Sequence, residues 1–86
     1  MVPVIRVQTG VRIEARLLKV LKGLAEYLDC TLGDLLEGMV LHAFEREHPF
    51  DEPTVAVIEQ LKRVYGLDLR AQDSHRLTES EASLAG

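Results

Sequence analysis

The chain has 86 residues, 47 % of them hydrophobic and 28 % charged, and this balance is typical of a globular protein with one small domain and a modest core. The net charge is −4, yet residues 1–33 carry five basic side chains against three acidic ones, so an anionic partner would meet the N-terminal part. Cys30 has no second cysteine to pair with, and neither a signal peptide nor a membrane-spanning run is recognisable, so we expect a cytoplasmic protein that does not enter a membrane.

The first predicted element is a strand over residues 5–13. Its apolar residues alternate, at Ile5, Val7, Val11 and Ile13, with Thr9 between them. A single strand leaves a row of backbone donors and acceptors unpaired, so the pattern predicts antiparallel pairing with a second copy in a two-fold dimer. The other face of this ribbon would present Arg6, Gln8, Gly10 and Arg12.

Two amphipathic helices are predicted next. The first covers residues 14–28 and should end near Asp29, a residue type that tolerates the left-handed conformation. The second begins at Thr31, with Asp34 three residues later as an approximate capping box, and Pro49 closes it. Its broad apolar face carries Leu32, Leu35, Leu36, Met39, Val40, Ala43 and Phe44. Gly38 within it indicates either a close helix crossing or simple tolerance of glycine.

A third helix is predicted from about Asp51 to Tyr65. Pro53 suits its first turn, and Gly66 is a natural C-terminal stop. The sequence thus predicts a dimerisation and DNA-binding domain over residues 1–48. Residues 49–86 form an acidic extension with one helix at about 52–65 and a flexible tail.

The order of these elements resembles the ribbon-helix-helix, or Arc/MetJ/CopG-type, DNA-binding family. The resemblance covers roughly residues 4–46 and is carried by the stretch VQTGVRIEARL, the leucines of the first helix, the turn LDCT and the stretch LGDLLEG. It implies a mainly α fold, a ribbon-helix-helix dimer to which this chain adds a third C-terminal helix. It also implies a transcriptional regulator that binds double-stranded DNA.

Site residues follow from the same resemblance. The family contacts bases with alternate strand residues, and these correspond to Gln8, Gly10 and Arg12. A two-stranded ribbon fits the major groove, where arginine can bind guanine and glutamine can bind adenine. The family holds phosphate with backbone amides at the start of the second helix, which correspond to Thr31, Leu32 and Gly33. Arg6 and Lys19 would add attraction to phosphate that does not depend on base sequence.

A second hypothesis is a dimeric, antitoxin-like protein-interaction module with little or no DNA binding. Gly10 has no side chain to read a base, Asp34 places a carboxylate beside the predicted phosphate site, and the C-terminal extension is acidic. Leu41 lies on the otherwise polar side of the second helix. It is either covered by the third helix or part of a contact surface for a second dimer or another protein.

The sequence predicts no enzyme, no metal site and no cofactor. His42 and His48 lie about 240° apart around a helix and do not converge on one ion. Ser74 and His75 lie in a predicted loop without a positioned acid, so they do not form a catalytic arrangement. Cys30, at the junction of two helices, is either a small half-buried turn residue or a thiol whose pKa the next helix lowers.

Overall fold

Three α-helices form the body of the protein in a computed structural model that describes residues 1–79. They are α1 (Ala15–Tyr27), α2 (Leu32–Phe44) and α3 (Glu52–Tyr65), and a short 3-10 helix follows at Ala71–Asp73. The mainly helical class predicted from the sequence is therefore confirmed. Most of the predicted tail, residues 80–86, lies outside the described residues. No helix within residues 1–79 combines the length and the apolar character needed to cross a bilayer.

The predicted ribbon is wrong, and with it the ribbon-helix-helix fold. Residues 1–14 contain no strand, and no sheet occurs anywhere in residues 1–79. Alternating apolar residues specify a strand only where a neighbouring backbone supplies hydrogen bonds, and residues 1–13 make no backbone hydrogen bond to any other segment within residues 1–79. Arg6 instead attaches this segment to α2 through Glu37, and Arg12 bonds to Glu79 in the C-terminal segment.

Local stereochemistry sets the helix ends. Glu14 accepts a hydrogen bond from the backbone N–H of Leu17 at 2.8 Å and so caps α1. Asp29 adopts a left-handed φ of 55° after α1, as the sequence predicts. The Thr31 hydroxyl accepts from the Asp34 N–H at 3.0 Å and begins α2 at the predicted residue. The second helix ends at Phe44, five residues before Pro49, and Arg46 has a left-handed φ of 59°.

The third helix follows the prediction at both ends. Asp51 caps it by accepting from the Thr54 N–H at 2.9 Å, and hydrogen bonds from Thr54 lower the pKa of the Asp51 carboxyl. Gly66 has φ 66°, which is favourable for glycine and ends the helix. The Leu67 N–H then returns to the Lys62 carbonyl at 2.8 Å.

The core is small and lies where the helices meet. Its buried cluster contains Leu21, Leu24 and Ala25 of α1 and Leu35 of α2. Half-buried side chains from α2, α3 and the connecting segments surround it: Cys30, Leu32, Leu36, Met39, Phe50, Ile58 and Leu61. The third helix packs mainly against α1. The C-terminal extension therefore contributes to the same core as the first two helices.

Close packing of α1 and α3 depends on Gly23. A Cβ atom at this position would lie 3.0 Å from Cδ2 of Leu61 and 3.4 Å from its Cδ1. The absence of a side chain therefore lets Leu61 sit against the backbone of α1.

We expect Gly23→Val to destabilise the protein by about 1–3 kcal/mol, because the branched side chain overpacks this contact. Chemical denaturation monitored by circular dichroism measures the change. Gly38→Ala is the matched control, since a Cβ there meets nothing within 4 Å. Its better helix propensity should stabilise α2 by up to about 1 kcal/mol. Equal effects of the two substitutions would contradict the close approach of α3 at Gly23.

Candidate interaction surface

The folded chain exposes far more surface than its mass requires. Its solvent-accessible surface is 7568 Å², whereas a folded monomer of 9.6 kDa exposes about 5,100 Å². The radius of gyration is 14.3 Å, compared with about 12 Å for a compact chain of this length. Residues 1–12, which are exposed and belong to no helix, contribute to the excess. Exposed apolar side chains on the helices contribute as well.

One group of exposed apolar side chains lies on α2. Only Leu35 is buried in this helix, while Val40, Leu41 and Phe44 are 46 %, 63 % and 78 % exposed. Residues 40–48 are all exposed, so the C-terminal half of α2 extends beyond the core. We call the face that carries Gly33, Glu37, Val40, Leu41 and Phe44 the outer face of α2. A helix that is apolar on both sides is typical of one buried on both sides.

Arg6 holds the N-terminal segment against the polar end of this face. Its guanidinium donates to both carboxylate oxygens of Glu37, at 2.8 and 2.9 Å, and to Asp34 at 3.4 Å. Two parallel N–H to oxygen bonds fix the geometry of an arginine and carboxylate pair. On either side of Arg6, Ile5 and Val7 are 95 % and 83 % exposed. Further apolar surface therefore flanks the outer face of α2.

This contact predicts a measurable pKa change. The hydrogen bond from Arg6 lowers the pKa of the Glu37 carboxyl below its ordinary 4.5. A carboxyl with a depressed pKa contributes stability above its ordinary value, and that contribution is lost as the pH falls through the lowered pKa. NMR titration of the side-chain carboxyl carbon should show the lowered value, and Arg6→Gln should return it to about 4.5. An unchanged pKa in Arg6→Gln would contradict the contact.

Arg12 makes a second attachment, far from the first in sequence. It donates to both carboxylate oxygens of Glu79, at 3.0 and 2.7 Å, and this pairing raises the pKa of the Arg12 guanidinium. The two side chains are 75 % and 53 % exposed, so solvent screens the ion pair. The arginine predicted to read a base is thus held by a carboxylate of the chain itself.

The other predicted DNA contacts are spread over the molecule. Gln8 and Gly10 are exposed on the N-terminal segment, and Lys19 lies with its ammonium 5.9 Å from the ring centre of Tyr65 at the end of α3. At the start of α2, Gly33 is exposed and Leu32 packs against the core. The structure brings Arg6 close to this helix start, and does not bring Arg12 or Lys19 there.

The exposure of Val40 and Phe44 is not evident from the sequence. Both belong to the broad apolar face predicted for α2, and the structure leaves them exposed, as it does Leu41. The sequence did contain a signal of this exposure, namely the width of the apolar face. Its seven residues cover more of the helix surface than a single neighbouring helix can bury. The contact-surface interpretation of Leu41 is thus the one that its exposure favours.

The opposite side of α2 borders a shallow groove of about 340 Å³, lined by Cys30, Gly38, Met39, Phe50 and Thr54 among others. Nδ1 of His42 lies 2.7 Å from the Gly38 carbonyl oxygen, and Nδ1 of His48 lies 3.0 Å from the carbonyl oxygen and 3.2 Å from the backbone nitrogen of Phe50. Within the part of the chain that the structure describes, no three acidic, histidine or cysteine side chains are grouped so that they could hold a metal ion.

No protein-family model, curated protein or solved structure matches this chain.

Proposed function

We propose that the protein is a small helical protein-interaction module that acts as a homodimer. Its exposed apolar surfaces, rather than a catalytic site or a ribbon, are the features that a partner would bind. The observation that carries this proposal is the exposed apolar surface of α2, where Val40, Leu41 and Phe44 are 46 %, 63 % and 78 % exposed. Apolar side chains left exposed together in this way are typical of a protein interaction site.

The small core supports the same conclusion. Only five apolar residues are buried among the described residues, namely Val20, Leu21, Leu24, Ala25 and Leu35, and none is less than 2 % exposed. Domains of this size bury a small share of their surface and often gain stability by association. A second copy of the chain is always present at the site of synthesis and offers the same apolar surface.

Light scattering coupled to gel filtration tests the proposal at micromolar concentration. We expect a mass of about twice the 9.6 kDa of the chain. A folded protein that remains at 9.6 kDa throughout the accessible concentration range would overturn it. Far-ultraviolet circular dichroism on the same sample establishes that the protein is helical.

DNA binding is a second candidate function, and the exposure of Arg6 and Arg12 favours it. Their side chains are 61 % and 75 % exposed, and surface carboxylates are their partners. Exposed ion pairs of this kind contribute little, so a polyanion could compete for both guanidiniums. The negative charge of the whole chain and the presence of Asp34 and Glu37 beside Arg6 make this the weaker candidate.

Titration with random duplex DNA at several salt concentrations separates the two candidates. A DNA-binding protein loses affinity steeply as salt rises, because bound cations are released from phosphate. Arg12→Ala should then reduce the affinity while leaving stability within about 0.5 kcal/mol, as at other surface sites. Absence of binding at low salt by a protein shown to be dimeric would exclude DNA binding as its function.

A further inference from the structure

We infer that the second copy binds on the outer face of α2, with the two α2 helices antiparallel across a two-fold axis. This inference rests on the proposed function and specifies its surface. In the arrangement, Phe44 of one copy occupies the space left by the partner's Gly33, and Glu37 lies opposite the partner's Val40. A two-fold interface needs such self-complementary residues.

Four residues of the outer face have the spacing of a helix packing seam, and we call them the seam. Gly33, Glu37, Val40 and Phe44 follow one another at intervals of four, three and four residues, all within α2. At 100° per residue these four positions fall within about 60° of one another around the helix. The seam points away from Leu35, the residue by which α2 packs on the core. The α2 helix thus contacts the core of its own chain on one side and presents the seam to a partner on the other.

The two ends of the seam have complementary sizes. Gly33 and Phe44 are eleven residues apart, about three turns or 16 Å, so they face the same way at opposite ends of α2. Phe44 is 78 % exposed, and a Cβ on Gly33 would meet only the Thr31 hydroxyl, at 3.9 Å. Antiparallel packing brings Phe44 of each copy against the partner's Gly33. Parallel packing would place phenylalanine against phenylalanine and leave a gap at the glycines.

Charge does not oppose this packing. Glu37 is the only acidic residue of the seam, and Arg6 binds both of its carboxylate oxygens. A paired carboxylate is far less costly to desolvate than a free one. The antiparallel orientation also places the positive end of one helix dipole beside the negative end of the other.

Two matched substitutions test the surface. Phe44→Lys places a charge on the seam near the end of α2, and Val64→Lys places the same charge near the end of α3. The two wild-type residues are similarly exposed, at 78 % and 72 %. In sedimentation equilibrium we expect Phe44→Lys to raise the dimer dissociation constant at least about thirty-fold, as for a large aromatic side chain that fills a space on the partner. Val64→Lys should leave it within about threefold of the wild type.

Two glycines of the same helix test the orientation. Gly33→Leu fills the proposed space and should weaken the dimer, although a Cβ there meets only the Thr31 hydroxyl, at 3.9 Å, and leucine has the better helix propensity. Gly38→Leu is its control, because Gly38 lies about 140° around the helix, beside the groove. The double variant Gly33→Leu with Phe44→Ala should bind better than Gly33→Leu alone, since the smaller residue makes room for the leucine.

The outcomes are distinguishable. A wild-type protein that is monomeric contradicts the proposed function itself, and with it the inference. A wild-type dimer whose dissociation constant is unchanged by Phe44→Lys and Gly33→Leu keeps the function and overturns the surface. Loss of the dimer in both single variants without recovery in the double variant overturns the antiparallel pairing. Circular dichroism of each variant verifies that helix content is retained, which the exposure of Phe44 and Gly33 leads us to expect.

Discussion

Leu24→Ala is expected to destabilise the protein by about 2–5 kcal/mol, the range for removing a buried leucine side chain. Among residues 1–79 Leu24 is the most buried, at 2 % exposed, and it belongs to the cluster that joins α1 to α2. A domain of this size has a small margin of stability, so the variant should be largely unfolded at room temperature. Urea denaturation followed by circular dichroism measures the loss.

Leu17→Ala provides the comparison on the same helix. Leu17 is 38 % exposed and lies outside the buried cluster, so its truncation should cost much less than that of Leu24. Similar losses for the two variants would mean that α1 does not present Leu24 to the core. Such a result would contradict the packing of α1 against the core through Leu24.

Leu35→Ala is expected to have the second large effect, about 2–5 kcal/mol, because Leu35 is the buried anchor of α2. Removing it should loosen the whole helix rather than leave a local cavity, since residues 40–48 are exposed and add little support. Amide hydrogen exchange in Leu35→Ala should be faster than in the wild type throughout α2. The increase should be larger in α2 than in α1. The dimer should also weaken, because the proposed seam lies on the loosened helix.

Leu41→Ala is the control for this second prediction. Leu41 is 63 % exposed, so its truncation should leave hydrogen exchange in α2 close to that of the wild type under conditions where the protein is monomeric. Faster exchange throughout α2 in Leu41→Ala would show that this helix is anchored through the opposite face from the one that the structure indicates.

Most helix ends were predictable because they depend on short-range chemistry, and the exception is the end of α2, which comes five residues before Pro49. The hydroxyl of Thr31 can reach an N–H three residues ahead, and a glycine such as Gly66 adopts a left-handed φ without steric cost. Asp29 likewise adopts a left-handed φ at the end of α1, as its residue type allows. These features need only a few neighbouring residues. They therefore appear in the sequence in nearly the form in which the structure has them.

The N-terminal segment was not predictable in this way. A strand depends on a neighbouring backbone that may lie anywhere in sequence, and alternation at Ile5, Val7 and Val11 does not supply one. The structure attaches this segment through Arg6 and Glu37, which are 31 residues apart. Nothing in the local pattern around Arg6 indicates that its partner is a glutamate on α2.

The candidate surface was predictable only in part. Leu41 stood out because it interrupts a polar side of its helix, and that anomaly led to a contact surface as one of two interpretations. Val40 and Phe44 matched the periodicity of a core face, and periodicity does not reveal whether a neighbour is present to cover it. The number of residues available to cover α2 is a property of the whole fold.

The most direct test of the central claim is the melting temperature as a function of protein concentration. Association that buries surface left open by the single chain stabilises the folded state by mass action. Over about a hundredfold range of concentration, thermal unfolding followed by circular dichroism should shift upward with concentration in the wild type. A melting temperature that is independent of concentration over that range, in a reversible transition, would contradict the claim that the exposed surface of this chain is a homodimer interface.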